Sequence, residues 1–265
     1  MSLSLANFDL IFRLGEPGFL LALLLAAHAL ADFVFQTARM AERKAHELGP
    51  LTSHTLQVGA LTALFLVPFW SWTALIAVLA ITLSHGVIDR LTARLRVSAD
   101  LGPARFAFDQ GLHLAVLLLA AAGLGAWPGN RPFLAAAEPI LPVLAVGSVL
   151  VAAYAFNWNG GSALVSLVLA KYDLPESLGR ADGSAPADAD KRLRMGRTIG
   201  ILERMLLLTL VLGNHWGALG LVLAAKSIAR FKDLDQRPFS EYYLIGTLTS
   251  LLTAVASGLV VKLLI

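Results

Sequence analysis

The sequence predicts an all-α, polytopic membrane protein of about eight transmembrane helices arranged in two halves. Three observations lead there. Hydrophobic residues make up 57% of the 265 residues, the mean hydropathy is +0.71, and apolar stretches of about 20 residues recur along the whole chain. Charged residues amount to only 15%, so the chain carries far more apolar surface than one soluble domain buries. Cysteine is absent, which excludes disulfides and thiolate metal ligands. In a membrane protein a pI near 9.4 reports topology rather than nucleic acid binding. The opening MSLSLANFDLIFRLGEPG lacks a basic n-region and a small-residue cleavage site, so the first span is expected to insert as a permanent helix.

The spans are expected near 18–37, 53–70, 72–91, 106–126, 139–157, 193–213, 215–231 and 240–263. A further apolar stretch from Ser162 to Ala170 follows the polar, glycine-containing run Asn157-Trp158-Asn159-Gly160-Gly161. It is too short to span and is either a half-helix or a continuation of the fifth span, with a broken helix near 157–161 the favoured reading. The segment 173–190, DLPESLGRADGSAPADAD, is rich in Pro, Gly, Ala and Asp and predicts a flexible loop. The expected halves are 1–127 and 136–265.

Orientation follows from the basic residues. Arg39, Arg43 and Lys44 follow span one; Arg90, Arg94, Arg96 and Arg105 follow span three. Lys171, Arg180, Lys191, Arg192, Arg194 and Arg197 follow span five, and Arg230, Lys232 and Arg237 follow span seven. These sixteen lie on one side, against Arg13, Arg131 and Lys262 on the other. The positive-inside rule then makes the odd-to-even loops cytoplasmic, 173–190 among them, and both termini periplasmic.

Three spans each carry a histidine and an aspartate four residues apart: His28 with Asp32, His85 with Asp89, and Asp109 with His113. That spacing puts both side chains on one helix face, and such pairs are expensive in hydrocarbon. The third pair is reversed in sequence on a helix that runs the opposite way. All three aspartates therefore fall nearer the cytoplasm, with the histidines about 6 Å deeper at 1.5 Å per residue. His54, at the cytoplasmic start of span two, completes a set drawn from four helices. His46 and His215 fall in loops and are expected to be solvated.

Imidazole and carboxylate together suit a divalent ion such as zinc, manganese or iron, and seven candidates exceed what one tetrahedral zinc needs. One ion with outer aspartates and a two-metal site both fit. The bland alternative is a polar network that glues helices, with Arg90 or Arg105 as counter-ion. No named ligand motif such as HExxH is present. In the second half Glu203, Arg204, Lys226 and Glu241 are embedded charges. They are either ion pairs holding the bundle or a binding site for a phosphate or carboxylate headgroup. Gln36 and Gln110 flank the His/Asp set, and helix-capping or helix-packing roles are favoured for them over hydrogen-bond donation to it.

The runs HALADFVFQ, HGVIDR and FDQGLH, with IGILER, AAKSIARF and EYYLIGTLTS in the second half, resemble an uncharacterised bacterial membrane family catalogued as a domain of unknown function, number 3307. The likeness covers most of spans one to four and six to eight. It implies a bacterial inner-membrane location and brings no activity with it.

Two functions are compatible with these residues. The first is a metal-dependent membrane hydrolase acting from the cytoplasmic leaflet on a lipid or lipid-linked substrate, with Asp32, Asp89 and Asp109 as catalytic carboxylates. The second is a proton- or cation-coupled transporter that uses the same cluster as its ion site and 157–161 as the broken helix. A di-iron oxygenase is disfavoured, because its closely spaced histidine clusters are absent. The preference for hydrolysis rests on the aspartates lying nearer one face than the midplane.

Overall fold

The computed structural model describes residues 10–95, 98–126, 140–172, 186–232, 234–235 and 237–265, with the side chains of Phe12 and of 186–193 left aside. Among them there is helix and no strand. Eight longer helices follow the expected spans in order: α1 (Glu16–Phe35), α2 (Leu48–Phe65), α3 (Trp72–Ala93), α4 (Gly102–Ala126), α5 (Leu141–Leu169), α6 (Pro186–Leu212), α7 (Trp216–Ala229) and α8 (Arg237–Leu264). Among the described residues five are long and apolar enough to cross a membrane, namely α1, α3, α4 with its leading turn, α5 and α8. The protein is accordingly a membrane protein by the length and composition of its helices.

Local sequence explains the helix starts. Pro17 and Pro142 occupy the opening turns of α1 and α5, where a missing N–H costs nothing. Ser71 caps α3 by accepting from Ala74 N at 3.1 Å, and Thr37 caps a short helix, Ala38–Arg43, by accepting from Met40 N. Asn214 takes a positive φ of 60° to turn α6 into α7, a conformation asparagine tolerates better than most residues.

Two expectations change. The chain does not break at Asn157–Gly161. It passes through a π turn at Phe156–Gly160 and continues as helix to Leu169, because a neighbouring side chain takes up the carbonyls that such a turn exposes, as described below. Of the expected loop 173–190, residues 173–185 lie outside the described residues, and helix begins at Pro186.

Packing divides the chain into two compact units. The first comprises 1–97, 104–156 and 261–265; the second comprises 98–103 and 157–260. The stretch Leu141–Ala155 thus packs with the first unit, where the sequence reading had put it in the second half.

The first unit is layered along its helices. Leu20, Leu21, Leu23 and Leu24 of α1 pack with Val58 of α2, Ala74, Ala77, Val78 and Ile81 of α3, and Leu117, Ala121 and Leu124 of α4. On every one of these helices the His and Asp positions lie beyond that apolar layer, toward the end where α1 and α3 finish and α2 and α4 begin. Meanwhile Leu79, Leu83, Val87 and Leu91 run down α3 at four-residue intervals and are all exposed. Polar residues inside and a leucine-rich stripe outside is the pattern of a helix solvated by lipid.

In the second unit Leu208 and Val211 of α6 are fully buried. Val211 lies so close to Gly258 of α8 that a Cβ there would sit 2.4 Å from its Cγ1. Small residues let membrane helices approach in this way.

Candidate metal centre

The close approach of α2 and α3 sets the site. A Cβ on Gly59 would fall 2.7 Å from Thr82 Oγ1, and one on Gly86 would fall 2.8 Å from Thr55 Oγ1. These reciprocal Gly–Thr contacts bring two antiparallel backbones together. The neighbouring residues, His54 and His85, then meet with their Nε2 atoms 3.0 Å apart. On the opposite side, Gly125 of α4 gives way to the ring of Pro17 of α1, and the closeness of α1 and α4 brings His28 within 3.2 Å of Gln110, measured from Nε2 to Oε1.

All seven residues that the sequence singled out converge. The ring centroids of His85 and His113 are 4.1 Å apart and stacked, His28 and His113 are 5.1 Å apart, and His54 and His85 are 5.0 Å apart. Carboxylates thread between them. Asp32 Oδ1 is 3.3 Å from His54 Nε2 and 3.4 Å from His85 Nε2. Asp89 Oδ2 is 3.5 Å from His54 Nε2 and 3.4 Å from His85 Nε2, while its Oδ1 is 3.6 Å from His113 Nε2. Asp109 Oδ2 is 3.8 Å from His113 Nε2. The two expected layers therefore interdigitate. Three sets place one ligand atom per residue within 4.8 Å of each other: His28, His85 and His113; Asp32, His54 and His85; and Asp89, Asp109 and His113.

The cluster is almost dry. His54 is fully buried, His85, Asp89 and His113 are 2% exposed, and His28 and Asp32 are no more than 9% exposed. Within it Asp32 Oδ1 and His113 Nε2 are buried without a hydrogen-bond partner. Such atoms are costly unless something else satisfies them, and both are ligand atoms. This donor set, mixed imidazole and carboxylate with unsatisfied atoms facing inward, fits a divalent metal.

Three residues around it were not singled out as members of the site. Lys44, which directly follows the short helix Ala38–Arg43 as its C-cap, donates from Nζ to Asp89 Oδ2 at 2.8 Å with its side chain only 14% exposed. It is the counter-ion that the sequence reading had assigned to Arg90 or Arg105; Arg90 instead donates to Ala45 O at 3.4 Å, which steadies the segment carrying Lys44. Thr92 donates to Asp109 Oδ1. Gln110, expected to cap or pack its helix rather than to donate into the site, links three residues: its Nε2 donates to Asp32 Oδ2 at 3.3 Å and to Asp109 Oδ2 at 3.1 Å, while its Oε1 accepts from His28. The only sequence signal for Lys44 was its place immediately after a span carrying a His/Asp pair. A π turn, Ala31–Phe35, encloses Asp32 and closes with Gln36 N donating to Ala31 O at 3.0 Å; such turns often accompany functional sites.

The four charges of the second half do not gather into one site. Lys226 pairs with Glu203 at 2.6 Å and lies over the Tyr243 ring. Arg204, 2% exposed, donates from Nε to Asn157 O at 2.9 Å, from Nη2 to Trp158 O and Ser162 Oγ, and from Nη1 to Ser250 Oγ. Its guanidinium thereby satisfies the carbonyls of the π turn in α5. Glu241 pairs with Arg237 on an exposed face. His46 and His215 are exposed, as expected.

Residues 20–133, which hold the whole cluster, match the model of a family described as protein of unknown function (DUF3307). The match stops short of the second half, to which the sequence likeness had been extended. No curated protein and no solved structure matches the chain.

Proposed function

We propose that this protein is a metal-dependent integral membrane hydrolase that acts, from the cytoplasmic leaflet of a bacterial inner membrane, on a lipid or lipid-linked substrate. In this reading all eight long helices span and both termini are periplasmic. One observation carries it: seven ligand-type side chains from four helices converge, and His54 and all three carboxylates lie toward one end of the bundle while His28, His85 and His113 reach deeper. Asp32, His54, Asp89 and Asp109 lie three to seven residues from the ends of their helices, about 5 to 10 Å at 1.5 Å per residue. Ion sites of transporters favour the midplane, whereas a site at this depth lies where a lipid headgroup meets the acyl chains. The basic residues Arg39, Arg43, Lys44, Arg90, Arg94 and Arg105 cluster in sequence at the same end, which makes that end cytoplasmic by charge.

The chain's own residues have defined tasks in this scheme. Asp32, Asp89, His54, His85 and His113 hold the ion; when bound, it supplies Lewis-acid activation of a carbonyl or phosphoryl oxygen and of water. Lys44 holds Asp89 in place and sets a positive charge beside it. Asp109, the most exposed of the three carboxylates at 20%, stands at the substrate side, held by Thr92 and Gln110. The exposed leucine stripe of α3 keeps the site's outer wall in contact with acyl chains.

Reconstitution into vesicles of total bacterial lipid tests this. Lipid products are followed by mass spectrometry with and without added Zn²⁺ or Mn²⁺, and cation flux is recorded on the same vesicles. A metal-dependent lipid product lost in Asp109→Asn is the expected result. Cation or proton flux without lipid turnover would replace the hydrolase with the transporter.

A further inference from the structure

We infer that the centre is binuclear, with the Asp89 carboxylate bridging two divalent ions, and that its substrate group is a phosphate. This rests on the metal reading above and specifies it. Of the three ligand sets, two share no residue: Asp32, His54 and His85 form one, and Asp89, Asp109 and His113 form the other. Each has a carboxylate and an imidazole. Asp89 faces both, because Oδ2 lies 3.4 to 3.5 Å from the two histidines of the first set and Oδ1 lies 3.6 Å from His113 of the second. A carboxylate with an oxygen toward each of two sites is a bridge. Each of its oxygens has two lone pairs, so Oδ2 can hold an ion and still accept from Lys44.

The spacing of the imidazoles agrees. His85 and His113 fall on different sides of this disjoint pair of sets, although both also share the set with His28, and their stacked rings are 4.1 Å apart. Imidazoles stacked at that distance, 27° from parallel, suit ions about 3.5 to 4 Å apart, the separation typical of two-metal sites. His28 is outside both sets. Its Nε2 faces Gln110 Oε1 at 3.2 Å, an atom that only accepts, so Nε2 carries a proton there and does not ligate. His28 is a positioning residue that acts through Gln110 on Asp32 and Asp109.

Charge names the substrate class. Asp32, Asp89 and Asp109 with Lys44 leave two negative charges, so two divalent ions make the buried site doubly positive. An isolated charge of that size in low dielectric demands an anion, and a phosphate dianion both neutralises it and spans two ions.

Mn²⁺ titration of the purified full chain, followed by electron paramagnetic resonance, tests this. Two Mn²⁺ per chain with an exchange-coupled signal is expected, falling to one uncoupled Mn²⁺ in His54→Ala and in Asp109→Asn, while His28→Ala keeps both. One Mn²⁺ in the wild type, or two without coupling, overturns the bridged pair but leaves the metal reading standing; no Mn²⁺, Zn²⁺ or Fe²⁺ bound overturns both. The wild-type measurement decides even if a variant fails to fold. Inorganic phosphate should bind the two-ion form and perturb its signal, and should not bind the metal-free chain. Failure to bind the two-ion form would overturn the phosphate assignment.

Discussion

Lys44 donates to Asp89 Oδ2 at 2.8 Å, and this pair places a fixed cation against the carboxylate that faces both histidine sets. Asp89 is 2% exposed, so its charge is not solvated by water. Replacing Lys44 with Met leaves that charge uncompensated. Breaking a buried pair from one side costs about 3 to 5 kcal/mol. The metal-free Lys44→Met protein should therefore lose thermal stability relative to wild type, and saturating divalent metal should recover most of the loss, since an ion replaces the missing positive charge. Melting curves in detergent with and without metal check this. Equal destabilisation in both forms would separate Lys44 from the centre.

The Gly86–Thr55 contact is predicted to set the distance between His54 and His85. Gly86→Ala puts a methyl 2.8 Å from Thr55 Oγ1, and overpacking of this kind costs roughly 1 to 3 kcal/mol. Stability and metal affinity should both fall, and Thr55→Ala should restore both in the double variant. Rescue of neither would show that this contact does not position the histidines.

Much of the site was legible because a membrane makes each polar residue conspicuous. His28, His85 and His113 announced themselves by the aspartate four positions away, and the reversed order on α4 fixed which ends face each other. Lys44 and Thr92 carried no such signal. Lys44 read as one more topological cation, and only the path of the short helix Ala38–Arg43 turns it inward. The second half misled for the opposite reason. Asn157 to Gly161 reads as a break because its residues disfavour helix, yet Arg204 supplies the donors that keep the chain helical as a π turn. The same residue had looked like part of a substrate site with Glu203, Lys226 and Glu241.

Arg204 is accordingly predicted to be structural. Arg204→Lys cannot reach Asn157 O, Trp158 O, Ser162 and Ser250 together, because an ammonium lacks the planar fork of a guanidinium. The variant should lose about 2 to 4 kcal/mol of stability while keeping its metal content per folded chain. Thermal melting beside metal analysis checks it. Altered metal content at unchanged stability would contradict this role.

Metal occupancy should depend on pH with a definite sign. Histidine ligands bind only when deprotonated, so metal competes with protons. Stabilisation by added metal should be greatest at neutral to alkaline pH and should fade as the pH falls and protons compete for the imidazoles. Metal-dependent melting shifts across a pH series give the answer. A shift that grows toward acid would mean that histidines do not hold the ion.

The most direct test of the central claim is the metal content of the purified protein, measured by mass spectrometry after dialysis against trace divalent ions, beside His85→Ala/His113→Ala. That pair removes an imidazole from every ligand set in the cluster. The wild type should retain at least one equivalent of a divalent metal per chain, and the double variant, still inserted and helical, should retain none. Equal trace amounts in both would contradict a metal centre and leave the seven residues as a polar network that holds four helices together.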